Sequence, residues 1–211
     1  MRLPDATALG RRFARAATNA VVRRPRLWPV FRGLMRLQFD KLAPRWDAMR
    51  CPGHLAPFER ALDEIPAARR ALDLGTGTGA AAFAIARRFP EADVVGVDLA
   101  EGMLAEARRN TPPELADRVR FERADAARLP FEDGSFDLIT LANMIPFFDE
   151  LDRVLAPGGR LVFSFSAGPE TPIWVPPERL RAELSRRGFA EFADFQLEPG
   201  TAFLARKGDP G

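Results

Sequence analysis

The sequence predicts an α/β fold in which a doubly wound, mostly parallel sheet of seven strands ends in an antiparallel hairpin. Two observations predict it. Segments of strand length alternate with helical segments between residues 70 and 166, and a strand–turn–strand pattern follows over 192–206. The alternation favours a parallel sheet with right-handed crossovers, and the terminal pattern is typical of a hairpin.

Local sequence signals place each element. Apolar and β-branched segments predict strands at 70–74, 93–98, 119–123, 136–142 and 160–166. The fourth is a near-continuous apolar run, as expected of a strand covered on both faces. Helices are predicted at 80–88, from 101, at 147–155 and from 176, and the hairpin strands at 192–197 and 201–206. The segment Pro157-Gly158-Gly159 is expected to turn the chain into the fifth strand.

The chain has the length of one domain, but its charge is uneven along its 211 residues. Residues 1–50 contain 12 Lys or Arg and 3 Asp or Glu, whereas the remainder contains 19 and 26. We therefore predict a basic N-terminal arm with an amphipathic helix over 1–38, and a ligand-binding domain over 39–211. Within the arm, 8–22 reads as a basic helix, and apolar residues recur at helical spacing over 28–39.

Two interpretations of the arm stay open. It is a solvated tail whose apolar residues pack on the domain, or a segment that contacts anionic lipid or nucleic acid. We favour the first, so nucleic acid is not expected as a partner, and peripheral membrane contact is the alternative. A cytoplasmic protein is predicted, because no apolar run approaches the ~20 residues of a membrane span. The single cysteine, Cys51, excludes an internal disulfide.

A glycine-rich turn follows the first predicted strand and indicates a nucleotide-type site. Gly75, Gly77 and Gly79 alternate directly after Asp73, ahead of a helix of small residues. Glycines let a ligand approach the backbone without a Cβ in the way, and the helix start directs free N–H groups at the turn. The same segment satisfies the dinucleotide fingerprint through Gly75, Gly77 and Ala80. Asp73 argues against that reading, because its charge repels a pyrophosphate and attracts a cationic amine.

Two further acids end the next two strands. Asp98 ends the second strand, where an acid suits a ribose diol, and Asp125 follows the third. Each acid has a structural alternative: Asp73 caps the glycine turn, Asp98 caps the next helix with Glu101 at capping-box spacing, and Asp125 is a turn residue. The carboxyl ends of parallel strands meet at one edge, where open α/β sheets bind ligands. We therefore favour one joint site.

With the segments Leu129–Phe131 and Leu155–Gly159, these features resemble the class I S-adenosylmethionine-dependent methyltransferases, in the ubiquinone/menaquinone-biosynthesis-like branch. The resemblance covers residues 39–207 and implies the Rossmann-like methyltransferase fold with S-adenosylmethionine as cofactor. It implies methyl transfer by in-line displacement to a small hydrophobic acceptor molecule. The alternative is a non-catalytic S-adenosylmethionine-binding protein, or one that its arm recruits to RNA or a membrane.

The resemblance also implies a set of cofactor-binding residues: Asp73, Gly75, Thr76, Gly77, Asp98, Leu99, Met103, Asp125, Ala126 and Asn143. Asp73 would receive the ammonium group, Asp98 the ribose hydroxyls and Asp125 the adenine amino group. Met103 would pack on the adenine, unless it is plain core filler. Asn143 would lie near the methionine end or the methyl group.

An apolar acceptor pocket is predicted from four aromatic side chains: Phe39, Trp46, Phe147 and Trp174. The first two belong to the segment 39–47, which resembles the family's lead-in over the cofactor. The alternative is that all four belong to the core. No catalytic residue is predicted, since Asp40, Asp47 and His54 are candidate bases without further support. No metal is predicted, because one His near one Cys does not make a zinc site.

Overall fold

The structure is a computed structural model that describes residues 6–50 and 53–209. The α-helices of this part are α1 (Ala6–Arg23), α2 (Trp28–Leu42), α3 (Ala56–Asp63), α4 (Ala80–Arg88), α5 (Glu101–Asn110), α6 (Phe148–Val154) and α7 (Pro177–Ser185). The strands are β1 (Arg70–Leu74), β2 (Asp93–Asp98), β3 (Val119–Arg123), β4 (Phe136–Ala142), β5 (Leu155–Phe165), β6 (Phe189–Leu197) and β7 (Gly200–Lys207). Short 3-10 turns include Ala43–Arg45, Asp47–Met49 and Gly168–Glu170.

The strands form one seven-stranded sheet in the order β3-β2-β1-β4-β5-β7-β6. β1 to β5 run parallel, and β7 is antiparallel to both β5 and β6. The predicted mostly parallel sheet with a terminal antiparallel hairpin is therefore confirmed. The strand order reverses between β1 and β4, and the carboxyl ends beside such a reversal are where open α/β sheets bind ligands.

Two apolar clusters cover the sheet. One contains Leu72 and Leu74 of β1 with side chains from α1, α2, α6 and α7. The other contains Ala71 of β1 with side chains from α3, α4 and α5. Successive strand residues point to opposite faces, so the clusters lie on opposite sides of the sheet. We interpret them as the two helical layers of the predicted double winding.

The start of β5 differs from the prediction. The strand begins at Leu155 rather than 160, so Pro157-Gly158-Gly159 lies within it. Leu155 pairs with Phe136, and the register then shifts before Arg160 pairs with Leu138. The proline and glycines, expected to form a turn, form an irregularity inside the strand, as a β-bulge does.

The core does not stop at the predicted boundary near residue 38. Ala17, Thr18 and Val21 of α1 are completely buried, and Trp28 and Met35 of α2 are nearly so. Arg11 Nη2 donates to the carbonyl of Glu170 at 2.9 Å, and Arg15 Nη2 to that of Pro169 at 2.7 Å. The described part of the predicted arm therefore packs on the sheet domain, and a boundary at residue 38 stays a prediction.

No helix in the ranges 6–50 and 53–209 combines the length and hydropathy needed to cross a membrane. Cys51, from which the absence of an internal disulfide was argued, lies outside these ranges. Within them, no three His, Cys, Asp or Glu side chains are grouped as metal ligands would be. The absence of a metal stays a prediction.

Candidate functional site

The glycine turn lies at the carboxyl end of β1, beside the reversal in strand order. The amides of Gly75 and Thr76 donate to the Val97 carbonyl at 2.9 and 3.0 Å, which ties the turn to β2. Gly75 has a φ of +67°, and a Cβ there would lie 2.8 Å from Met144 Sδ. Only glycine fits this conformation without strain. The space beside Gly75 is therefore occupied by the flexible side chain of Met144.

Asp73 lies beneath the turn and is completely buried. Thr140 Oγ1 donates to its Oδ1 at 2.7 Å, while its Oδ2 has no hydrogen-bond partner among the described residues. Thr76 Oγ1 is likewise buried and without a partner there. Burial raises the pKa of Asp73 to about 6, against the opposing effects of the nearby Thr76 hydroxyl, the Thr140 hydrogen bond and the Arg50 charge. The Thr76 hydroxyl thus lies beside the Asp73 carboxyl, but neither Oδ2 nor Oγ1 has a hydrogen bond of good geometry. Buried polar atoms are normally satisfied, so these two mark a site that a polar ligand would complete.

Asp98 accepts two backbone hydrogen bonds at the end of β2. Gly77 N donates to its Oδ2 at 3.0 Å and Ala100 N to its Oδ1 at 2.9 Å. The N-cap residue of α5 is Ala100 rather than Asp98, and Glu101 pairs with Arg108, so the predicted capping box is not formed, although Asp98 accepts from the amide of that N-cap residue. Burial raises the pKa of Asp98. Each oxygen keeps a second lone pair for a hydroxyl donor.

Asp125 is engaged by the N-terminal helix α2. Trp28 Nε1 donates to its Oδ1 at 2.7 Å, and Arg32 Nη1 lies 3.1 Å from its Oδ2. Ala127 N donates to the same Oδ1 at 3.0 Å, as in a turn. The Oδ1 lone pairs are thus in use, and Oδ2 alone has capacity for a further donor. Sequence reasoning missed the contact with Trp28, which lies 97 residues away.

The lead-in segment folds over the start of α5. Phe39 and Trp46 meet edge to face with ring centroids 5.5 Å apart, and both pack on a small buried cluster that contains Met103, which is 1% exposed. Asp40 Oδ1 accepts from Gly102 N at 2.9 Å. The indole Nε1 of Trp46 would lie 3.5 Å from a Cβ at Gly77. Met103 is therefore core beneath the aromatic pair, while Trp46 also reaches the glycine turn.

Sequence reasoning also missed Arg50, which reaches the turn from the same segment. Its Nη2 donates to Thr78 Oγ1 at 2.9 Å, its Nη1 lies 3.2 Å from Asp47 Oδ1, and a Cβ at Gly77 would be 3.8 Å from Nη2. Burial lowers the pKa of Arg50, while Asp47 and Asp73 oppose this. Nothing local distinguishes Arg50 from the other basic residues of 1–50, so no sequence signal could have found it.

The carboxyl end of β4 supplies Met144 rather than Asn143 to the turn. The Asn143 amide is committed to β5, donating to Ser166 Oγ at 3.1 Å and accepting from Ser166 N at 3.0 Å. Asn143 has a φ of +54°, a left-handed conformation that asparagine tolerates. Of the remaining predicted residues, Ala126 is buried and Leu99 half-buried, each packed in the larger cluster.

The four predicted acceptor residues form three separate aromatic contacts. Phe39 packs on Trp46, Phe147 on Trp28 at 5.3 Å, and Trp174 on Phe165 at 4.8 Å between ring centroids. The last contact borders a cavity of about 240 Å³, also lined by Leu180, Phe195 and Phe203. A single pocket made by all four side chains is therefore not observed.

Comparisons with known proteins agree with this geometry. Residues 71–159 match the methyltransferase domain family. The demethylmenaquinone methyltransferase of Thermus thermophilus is 44% identical over 142 residues, 59% of this chain and 62% of the relative. The ubiquinone/menaquinone biosynthesis C-methyltransferase of Dinoroseobacter shibae is 44% identical over 152 residues, 65% and 61% of the two chains. The chain thus spans less than two thirds of the length of these relatives.

A solved structure agrees at the level of fold. The phosphoethanolamine N-methyltransferase 2 of Haemonchus contortus, in complex with S-adenosyl-L-methionine, superposes with a TM-score of 0.61 at 20% identity, over 74% of this chain and 52% of that one. The solved structure shares the fold of this chain, and residues 71–159 are similar to the methyltransferase domain family. Over the aligned residues the chain is similar to the demethylmenaquinone and ubiquinone/menaquinone-biosynthesis methyltransferases, the group that its sequence motifs resemble.

Proposed function

We propose that the chain transfers a methyl group from S-adenosylmethionine to a small hydrophobic acceptor with a quinone-type ring. One observation carries the proposal. An anionic group with an unused oxygen, Asp73, and a cation, Arg50, flank the same glycine turn. The amino-acid end of S-adenosylmethionine carries an ammonium and a carboxylate, so its charges complement this pair. A pyrophosphate would place its negative charge against Asp73.

The residues at the turn fit the cofactor as follows. Asp73 Oδ2 would receive the ammonium group, and Arg50 would hold the carboxylate, for which its planar fork is suited. Asp98 would accept the ribose hydroxyls on its second lone pairs while keeping Gly77 N and Ala100 N. Asp125 Oδ2 would accept from the adenine amino group. Met144 would move aside, which its unbranched and flexible side chain allows.

The proposed methyl transfer requires the chain to position the acceptor rather than to supply an acid or a base. S-adenosylmethionine supplies an activated methyl group on its sulfonium, and in-line displacement needs the acceptor aligned with it at about 3–3.5 Å. Trp46 and Met144 lie against the glycine turn and would exclude water from it. Two of the candidate bases are committed elsewhere, Asp40 to Gly102 N and Asp47 to Thr78 Oγ1. No general base is therefore assigned.

The acceptor class follows from the relatives and from the aromatic surroundings. Relatives at 44% identity are named for methylation of demethylmenaquinone or in ubiquinone/menaquinone biosynthesis. Trp46 lies at the crevice beside the glycine turn. Trp174 lines the cavity of about 240 Å³. Flat apolar rings pack well on such surfaces. The alternative function is that of a cofactor-binding protein without catalysis.

Two measurements test the proposal. Isothermal titration calorimetry should show binding of S-adenosylmethionine and none of NAD(H), and replacement of the exposed Asp117 by Asn should leave that binding unchanged. Incubation with labelled S-adenosylmethionine and a demethylated naphthoquinone should yield a product heavier by one methyl group in mass spectrometry. Binding of NAD(H) in place of S-adenosylmethionine would overturn the cofactor assignment. Cofactor binding without product from any quinone-type acceptor would favour the non-catalytic alternative.

A further inference from the structure

The outer face of α2 is apolar and exposed. Val30, Leu34 and Leu37 are 68%, 59% and 50% exposed, and their i, i+4, i+7 spacing puts them on one side of the helix. Met49, farther along the same segment, is 50% exposed. Only one other large hydrophobic residue in the described ranges, Leu197, is exposed, at 37%. An apolar stripe of this kind on a surface marks an interaction site.

Positive charge surrounds this stripe. Among residues 6–50 the acids are Asp40 and Asp47. Asp40 accepts from Gly102 N, whereas the Asp47 side chain is 52% exposed, accepts from Thr78 Oγ1 and pairs with Arg50. Within residues 6–50, the exposed basic residues that form no salt bridge in the described part of the chain are Arg11, Arg12, Arg23, Arg24, Arg26, Lys41 and Arg45. Lys41 falls on the same side of α2 as Val30 and Leu37. The outward surface of the segment is therefore apolar along α2, and the unpaired charges beside it are cationic, since the one exposed acid, Asp47, is paired with Arg50.

We propose that this face docks on the surface of an anionic lipid bilayer. A helix with an apolar face and a basic surround lies in the headgroup region, where its apolar side chains leave water and its cations meet acidic lipids. A second copy of the chain fits less well, because a two-fold interface would bring the same cations against each other. A nucleic acid would leave the apolar stripe without a partner.

The opposite face of α2 covers the candidate site. Trp28 and Met35 are buried there, and Trp28 donates to Asp125 at the end of β3. The helix that lies on lipid would thus also close the crevice, and a hydrophobic acceptor would pass to the site directly from the bilayer. This last step rests on the proposed function, whereas docking itself does not.

Co-flotation with vesicles tests the docking. The full chain should bind vesicles of phosphatidylcholine mixed with phosphatidylglycerol, and bind weakly to phosphatidylcholine alone or in high salt. The double variant Val30→Glu/Leu34→Glu should lose at least tenfold in binding to the acidic vesicles. The matched control, Leu197→Glu, places the same charge on an exposed leucine of β6 and should bind as the native chain does.

Calorimetry with S-adenosylmethionine separates the two proposals, since the outer face of α2 does not contact the site. If the native chain does not bind the vesicles, or if the double variant binds them as well as the native chain does, the docking proposal is overturned even where the cofactor binds. Failure of the cofactor to bind with intact docking overturns the proposed function alone. If the native chain does not bind vesicles but elutes as a dimer in size-exclusion chromatography, and the double variant elutes as a monomer, the stripe is an interface between copies. That result would overturn docking on lipid.

Discussion

Replacement of Asp73 by Asn should make the protein more stable at neutral pH and weaken its binding of the cofactor. The carboxyl is completely buried, and burial raises its pKa from the ordinary value of 3.8 to about 6. At about 1.4 kcal/mol for each pKa unit, ionised Asp73 costs the fold about 3 kcal/mol. Asparagine keeps an oxygen for the Thr140 hydroxyl, which now donates to Oδ1 at 2.7 Å, and carries no charge to desolvate.

The sign of the pH dependence follows from proton binding. Between about pH 4 and pH 6 the folded state holds a proton on Asp73 that the unfolded state has released, so the free energy of unfolding falls as pH rises. That stabilisation is fully present below the unfolded pKa and is lost above about pH 6. The variant has no such group. Its stability relative to the native chain should therefore be near zero at about pH 4 and should reach its maximum, about 3 kcal/mol, at about pH 7.5.

Urea unfolding followed by tryptophan fluorescence measures this difference at both pH values. Asp117→Asn, at an exposed position, controls for the general effect of removing a carboxylate and should show no such pH-dependent gain. In parallel, calorimetry at neutral pH should show at least a tenfold loss of S-adenosylmethionine affinity for Asp73→Asn. A stability difference that is the same at both pH values would refute the raised pKa. Unchanged cofactor affinity would refute the role of Oδ2 toward the ammonium group.

Further substitutions test the rest of the site. Asp98→Asn should raise the Kd for S-adenosylmethionine at least tenfold, about 1.4 kcal/mol, because it removes one acceptor from the ribose or the turn; an equal calorimetric Kd would leave Asp98 a purely structural residue. Arg50→Lys should weaken the binding of S-adenosylmethionine but not that of adenosine, which lacks the carboxylate. Equal losses of affinity for both ligands would contradict the contact between Arg50 and the carboxylate. Gly75→Ala should cost about 1–3 kcal/mol in thermal unfolding because of its positive φ and the contact with Met144. Gly33→Ala, a helical position with open space around it, is the control and should not destabilise.

The features that could be predicted from the sequence are those that depend on residues close together in the chain. The alternation of strands and helices, the glycine turn after β1 and the acid at position 73 were all legible, because periodicity and backbone conformation depend on a few consecutive residues. The start of β5 could not be predicted in this way. Its Pro-Gly-Gly segment has the local chemistry of a turn, and only pairing of Leu155 with Phe136 keeps it in the sheet.

What the chain's sequence determined by itself is thus the order of the elements, the turn and the family to which they point. Tertiary structure decided which distant side chains join that turn. Trp28 meets Asp125 across 97 residues and Arg50 meets Thr78 across 28, and neither contact has a local signature. The same holds for α2, whose apolar residues recur all along one helix. Only packing against the sheet domain decides that Trp28 and Met35 are buried while Val30 and Leu34 face solvent, since burial depends on what lies opposite each face.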